Sequence, residues 1–322
     1  MNKIFILTKN EISKALANRI IIGFTILSFV VVFVFGLYIK NSPAKFSERK
    51  LENWKNFLQI EIETNNSFLN DPSIGFSSSD IINEMINQNK VYQFQIDNNI
   101  PPILDKSASS LILRVNELFI FITICVIMLS CYLISSEYTN GTMSRLVIIN
   151  AKRWKILLSK FLSIIILTTL FIFIFMICSI LCGWALFGFD NFSVQCVYYN
   201  GKEIVQRNVL SQLFLCLAYN CVSLYAISSL AVSIAVLTRS NLLGISLCFC
   251  ISAFGSVLSS AFPDSSFLKY TLFSNTNYSQ YLTNSIGNGE ITPTVSLIIL
   301  LIHIFVFTIL SFILFNKRDI EC

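Results

Sequence analysis

Six continuous apolar runs punctuate the chain, at roughly 20–39, 115–135, 157–182, 210–237, 242–262 and 294–315. A helix rises 1.5 Å per residue, so about 20 residues cross the roughly 30 Å hydrocarbon layer of a bilayer. Backbone groups in lipid must find hydrogen bonds inside the spanning structure, which permits helices or closed barrels. A barrel needs short alternating strands, and these runs do not alternate. The pattern therefore predicts an all-α integral membrane protein with six transmembrane helices.

The polar stretches between the runs have their own periodicities. Over residues 1–19, Met1, Ile4, Phe5, Thr8, Ile12, Ala15 and Leu16 fall on one side of a helix, with Lys3, Asn10 and Lys14 opposite. That spacing predicts a helix lying in the membrane interface. Residues 40–114 are polar and Asn-rich, but Leu51, Trp54, Leu58 and Ile62 keep helical spacing, which predicts a mostly helical insert. Pro101-Pro102 is expected to end its last helix. Residues 136–156 form a basic loop, 183–209 a second loop, 238–241 a tight turn and 316–322 a tail. The segment 263–293 is bounded by Pro263 and Pro293 and rich in Phe and Tyr, which suits short helices dipping into the membrane boundary.

Cations orient the six spans. With both termini taken as cytoplasmic, the inner segments hold twelve Lys and Arg and the two short outer loops hold three. Short-loop Lys and Arg favour the cytoplasmic side, so the expected arrangement is N-in and C-in with 40–114 outside. The first 19 residues lack the apolar stretch and small-residue cleavage site of a secretory signal, so the first span is expected to remain as an anchor.

Composition agrees with lipid as the main solvent. Of 322 residues, 54% are hydrophobic and 13% charged, against about 25% charged in ordinary soluble domains. Eight of ten Cys lie within apolar runs, where free Cys behaves as a small hydrophobe. Their spacing fits no metal site. The sequence has no phosphate-binding G-x-x-x-x-G-K-[ST] loop, no H-E-x-x-H and no G-x-S-x-G. Basic residues form no aromatic-interleaved stripe, so nucleic acid is not an expected partner. No cofactor is expected on this chain.

Polar groups within the spans mark pathways in some membrane proteins and interhelical bonds in others. Glu117, beside Asn116 at the start of span 2, Asn220 near the middle of span 4 and His303 near the middle of span 6 are the candidates. No acidic residue sits mid-span, which weakens a proton-driven transporter. Energy for any transport is expected from another polypeptide.

The loop after span 2 carries the most specific signal. Gly141 can break the helix, and Thr142 can cap a short helix from Met143 to Ile149. Lys152, Arg153, Lys155 and Lys160 are expected to snorkel as the chain re-enters lipid, with Trp154 at the headgroups. The stretch SSEYTNGTMSRLVIINAKRWKILLSKFL resembles the segment from span 2 into span 3 of type 2 ATP-binding-cassette (ABC) transporter permeases. FNKRDI, Phe315 to Ile320, resembles that family's exit from span 6, and KNEISKALANRI, Lys9 to Ile20, its interfacial entry into span 1.

The resemblance implies a permease working in a pair, with a second copy or paralogue, above two ATPase subunits that bind ATP and Mg²⁺. It implies that the loop is a coupling helix, with Glu137, Gly141, Thr142 and Arg145 in or beside the ATPase contact. The long insert departs from the polysaccharide-exporting branch and is closer to the branch handling peptides, drugs or ions. The expectation is an exporter subunit of a bacterial cytoplasmic membrane with no ATPase site of its own. The alternative is a sensor or immunity protein that binds an extracellular peptide through 40–114 and transports nothing.

Overall fold

The computed structural model describes residues 2–17, 19–44, 46, 53–70, 79–139, 141, 152–189, 194–199, 203–262, 265–276 and 292–317. In chain order the elements are α1 (Asn2–Ala17), α2 (Arg19–Asn41), α3 (Trp54–Leu69), α4 (Ser79–Asp97), α5 (Ala108–Arg114), a 3₁₀ stretch (Val115–Leu118), and α6 (Phe119–Thr139). There follow α7 (Arg153–Phe187), strands β1 (Gln195–Tyr199) and β2 (Ile204–Asn208), α8 (Val209–Thr238), α9 (Asn241–Ala261), two 3₁₀ turns (Leu268–Tyr270 and Phe273–Asn275), and α10 (Pro293–Lys317).

Among the described residues, six helical segments are long and apolar enough to cross a membrane. They are TM1 (Ile21–Asn41), TM2 (Ala108–Tyr138), TM3 (Arg153–Phe187), TM4 (Val209–Thr238), TM5 (Asn241–Ser259) and TM6 (Pro293–Lys317). The chain is a multi-pass helical membrane protein. TM2 starts seven residues before the 115–135 run, because Ser107 caps the helix by accepting a hydrogen bond from the Ser110 N–H at 3.1 Å. TM3 exceeds the 157–182 run at both ends, and at 35 residues it is about 52 Å long. That is well beyond the hydrocarbon thickness, so TM3 tilts or projects.

TM4 is the core. In TM4, 78% of the apolar window is buried, against 11% in TM5 and 17% in TM1 and TM6. Its C-terminal half is built from Ala226, Ala231 and Ala235 with Ser228, Ser229 and Ser233, all buried. Small side chains let neighbouring backbones approach, which is how helices associate where no water drives them together. Each serine hydroxyl donates to a carbonyl of its own helix, as Ser229 Oγ does to Ala226 at 2.7 Å. TM2, TM3, TM5 and TM6 all pack on TM4. A second apolar cluster joins TM1, TM2 and TM3 through Val32, Leu111, Val126, Phe171 and Phe175. The outward sides of TM1, TM5 and TM6 expose Ile26, Phe254 and Phe305, as lipid-facing helices do.

The two ends of the bundle differ. At one end α1 lies against TM3. At the other, α3 and α4 pack on each other and α4 docks on the β1–β2 hairpin. Asn65 donates to Asn89, which donates to Asn66, and Lys90 sits 4.9 Å from the Tyr199 ring. The hairpin occupies what the sequence reads as the loop 183–209. Its antiparallel register pairs Val197 with Gln206, and Cys196 and Tyr198 both face inward by the two-residue period of a strand.

Within the 263–293 segment, Leu272 and Asn275 are buried. The Asn275 carbonyl accepts from Tyr219 Oη at 2.7 Å on TM4 and from Ser296 Oγ at 3.4 Å on TM6. The Phe273 ring packs against TM5 at Gly255, where an added Cβ would collide with the ring. Gly255 is thus required by close approach. We predict that Gly255→Ala costs about 1–3 kcal/mol by overpacking. Gly255→Ala combined with Phe273→Ala should lose no more than Phe273→Ala alone, read by thermal unfolding in detergent.

Candidate functional site

Buried charge concentrates where α1, the end of TM2 and the start of TM3 meet. Glu11 and Lys14 lie one turn apart on α1. Glu137 lies in the last turn of TM2's helix, and Lys160 two turns into TM3. The Lys160 ammonium donates to Glu11 Oε2 at 3.0 Å and to the Leu133 carbonyl at 2.7 Å, with Glu137 Oε1 at 3.8 Å. Lys14 donates to Glu137 Oε1 at 2.9 Å and lies 3.4 Å from Glu11 Oε1. The Lys160 side chain is 2% exposed, and those of Glu11 and Glu137 are 7% and 6%. Lys14, 56% exposed, closes the cluster toward solvent. Ser163 Oγ adds a 3.3 Å bond to the Thr8 carbonyl.

The arrangement is neutral overall: two carboxylates against two ammonium groups. A buried charge left single is costly, and pairing with further hydrogen bonds offsets the desolvation. Of Lys160's three N–H donors, two are spent on Glu11 and the Leu133 carbonyl, and Glu137 adds an ion pair at 3.8 Å. Burial alone would lower the Lys14 pKa, but hydrogen bonding and attraction from Glu137 and Glu11 outweigh it, and the value is raised above its ordinary 10.5. This raised pKa contributes stability that is fully present below the ordinary lysine value and lost only as pH climbs through the higher folded one.

The cluster revises two expectations. Lys160 does not snorkel. It points inward, because a carboxylate on α1 and another on TM2 offer it partners that the headgroups would otherwise supply. Glu137 is likewise turned into this cluster and away from the surface. On α1 the side facing the bundle is centred on Thr8, Glu11 and Ala15, all buried, while Phe5 and Leu16 remain exposed. Gly141 adopts φ 62°, a left-handed conformation that favours glycine, with its N–H 3.3 Å from the Tyr138 carbonyl. Thr142, Arg145 and the helix expected at 143–149 lie outside the described residues. Arg239, in the TM4–TM5 turn, lies 5.8 Å from the Tyr138 ring and holds φ 53°.

The other candidates lie apart from the cluster. Asn220 donates to Asn116 Oδ1 at 3.0 Å, tying TM4 to TM2. Glu117 pairs with Arg114 at 3.2 Å, one turn away and half exposed. Both Asn116 and Glu117 sit on the 3₁₀ stretch that interrupts TM2, a geometry that often marks a hinge. His303 spends Nδ1 on the Ile299 carbonyl of its own helix at 2.8 Å and rests on Phe307. It does not join Glu117 or Asn220. Among the described residues no group of three or more His, Cys, Asp or Glu is placed to hold a metal ion.

Sequence reasoning passed over Glu11 and Lys160 as cluster members. Their only signal was a lone acid on an interfacial helix and a lysine too far inside span 3 to reach the headgroups easily. We predict that Lys160→Met destabilises the fold by about 3–5 kcal/mol, because buried Glu11 loses its nearest cation and Glu137 its second. Lys14→Met, at a half-solvated position, should cost about 0–1 kcal/mol. Denaturant unfolding of both variants in micelles checks the contrast.

Residues 79–321 match a family described as protein of unknown function, DUF2705. The chain is also 26% identical over 274 residues to the uncharacterized protein YhcI of Bacillus subtilis strain 168, which covers 83% of this chain and 84% of that relative. The family match takes in TM2 to TM6, the hairpin and the Glu137–Lys160 pair, well over half of the sequence. This protein therefore belongs to the DUF2705 family.

Proposed function

We propose that this chain is the membrane subunit of a type 2 ABC exporter, driven from the cytoplasmic side by a separate ATPase. The observation that carries the reading is the ion cluster at the α1 end. The loop joining TM2 to TM3 leaves TM2 next to Glu137 and enters TM3 seven residues before Lys160. A force on that loop reaches α1, TM2 and TM3 through one connected set of charged contacts. That is the mechanical arrangement a transport subunit without its own nucleotide site requires.

In this reading both termini and the 136–156 loop face the cytosol of a bacterium, and the insert and hairpin face outward. Two ATPase subunits bind ATP and Mg²⁺ below a pair of permeases, the second being another copy or a paralogue. Arg145, Thr142 and Gly141 belong to the coupling contact. Glu137 passes the movement inward from it. TM4, the most buried helix, stays as the fixed element, and the lipid-facing helices rearrange around it. The cargo class is an amphipathic molecule such as a peptide antibiotic or bacteriocin, or a drug. The protein makes and breaks no covalent bonds. It offers two conformations with different affinities for the cargo.

The division of roles is testable by reconstituting the permease with its genomic-neighbour ATPase. Arg145→Glu should abolish co-purification of the ATPase. Glu137→Gln should leave co-purification intact while lowering cargo-stimulated ATP hydrolysis by about tenfold, the rate equivalent of 1.4 kcal/mol. If both variants associate and hydrolyse like the parent protein, the coupling assignment is wrong. Labelling of Gly141→Cys by an impermeant thiol reagent in intact cells would overturn the orientation as well.

A further inference from the structure

Two voids adjoin at the end of the bundle opposite α1. The outer one, of about 400 Å³, is bounded by α4, β1, the head of TM2 and the start of TM4, and half-exposed Arg114 and Glu117 stand on its wall. The inner one lies deeper, between TM2, TM3 and TM4, and its volume of about 20 Å³ is room for one water. Its lining is apolar except for Asn116, Asn220 and the Cys216 thiol. Two residues, Leu113 and Asn116, line both voids. Asn116 is therefore the polar group on the partition between them.

Asn116 is held on that partition from TM4. Its Oδ1 accepts from Asn220 Nδ2 at 3.0 Å, and its side chain also bonds the Cys216 sulfur. Cys216 and Asn220 are one turn apart, so one face of TM4 supplies both partners. Asn116 itself is carried by the 3₁₀ stretch Val115–Leu118, where TM2 leaves regular α-helical bonding. Such stretches have poorer hydrogen-bond geometry and often mark hinges. The latch is neutral, and neutral bonds between membrane helices are weak on average. A weak latch on a locally loosened helix opens without unfolding the bundle.

We propose that the Asn116–Asn220 bond is a gate through which water and small uncharged solutes pass from the outer void into the middle of the bundle. Rewinding of the 3₁₀ stretch carries Asn116 off Asn220 and joins the two voids. An entering water or hydroxyl group then takes up the hydrogen bonds that Asn220 and Cys216 lose, so no buried polar group is left unpaired. The inner lining carries no charged residue. An ion brought there would give up its hydration with no opposite charge to replace it, so the gate discriminates by charge. It lies at the end of the bundle away from the Glu11–Lys160 cluster and works without an ATPase.

The test uses the purified full-length chain in nanodiscs, which leave both faces accessible. Its native cysteines are the reporters, each read separately by peptide mass spectrometry after timed exposure to a thiol reagent. Methyl methanethiosulfonate is the small uncharged probe, and its trimethylammonium-ethyl analogue is the charged one. Cys131 and Cys248 are buried as Cys216 is but line neither void, so they are the reference thiols. The uncharged probe should modify Cys216 several-fold faster than either reference, and the charged probe should leave all three protected. Asn220→Leu keeps the bulk of the side chain and removes the bond. It should speed modification of Cys216 by about threefold, the factor an average interhelical bond represents, and leave both references unchanged. Cys216 reacting no faster than the references overturns the proposal, as does a charged probe that reaches it equally well. So does an Asn220→Leu chain whose Cys216 rate is unchanged or rises only in step with the references. The first two comparisons need no variant, so they decide the matter even where Asn220→Leu does not fold. No ATPase is present, so these outcomes leave the coupling assignment untouched.

Discussion

A lysine buried two turns inside a membrane helix has to be answered by carboxylates, and Lys160 is answered from two directions. Glu11 comes from α1 and Glu137 from TM2, and the Leu133 carbonyl completes the shell. None of the three ionised groups is stable there alone. Together they fix where α1 lies, how deeply TM2 ends and where TM3 begins. Apolar packing between helices in lipid is non-directional and tolerates sliding. Charge pairing at this junction does not.

The opposite end is held by weaker and neutral bonds. Asn220 with Asn116, and Tyr219 and Ser296 with the Asn275 carbonyl, tie TM4 to its neighbours. Neutral interhelical bonds of this type average about 0.6 kcal/mol in membranes. TM2 is also interrupted there by its 3₁₀ stretch. The bundle thus has one end clamped by charge and one end able to readjust. In the proposed exporter, energy delivered to the charged end would move α1, TM2 and TM3 together, with the change in shape absorbed where the bonds are weaker.

How much of this the sequence discloses depends on how local each feature is. The six spans are legible because length and apolarity are local properties, and TM4 falls within one residue of its apolar run at both ends. The ion cluster is not local. Glu11 and Lys160 are 149 residues apart, and no periodicity links them. A lysine near the end of an apolar run reads naturally as a snorkelling one until a partner is seen. The hairpin was more accessible. Asn200-Gly201 is a turn signal, and only the four residues NGKE separate QCVYY from IVQRN. The strongly apolar surroundings drew attention to helices instead.

The cluster also bears on orientation. Twelve cations counted toward the cytoplasmic side, and the positive-inside rule concerns charges free to meet that side of the bilayer. Lys160 is buried and Lys14 half exposed, and both are paired with Glu11 and Glu137 rather than with headgroups. Setting them aside leaves ten against three, and the asymmetry that supports N-in and C-in is intact. Lys3, Lys9, Lys152 and Lys317 are all exposed and remain available to headgroups. The internal cluster holds the helices together, and the exposed cations set which way the assembly faces. The two tasks fall to different lysines, so a substitution that breaks the clamp need not invert the protein.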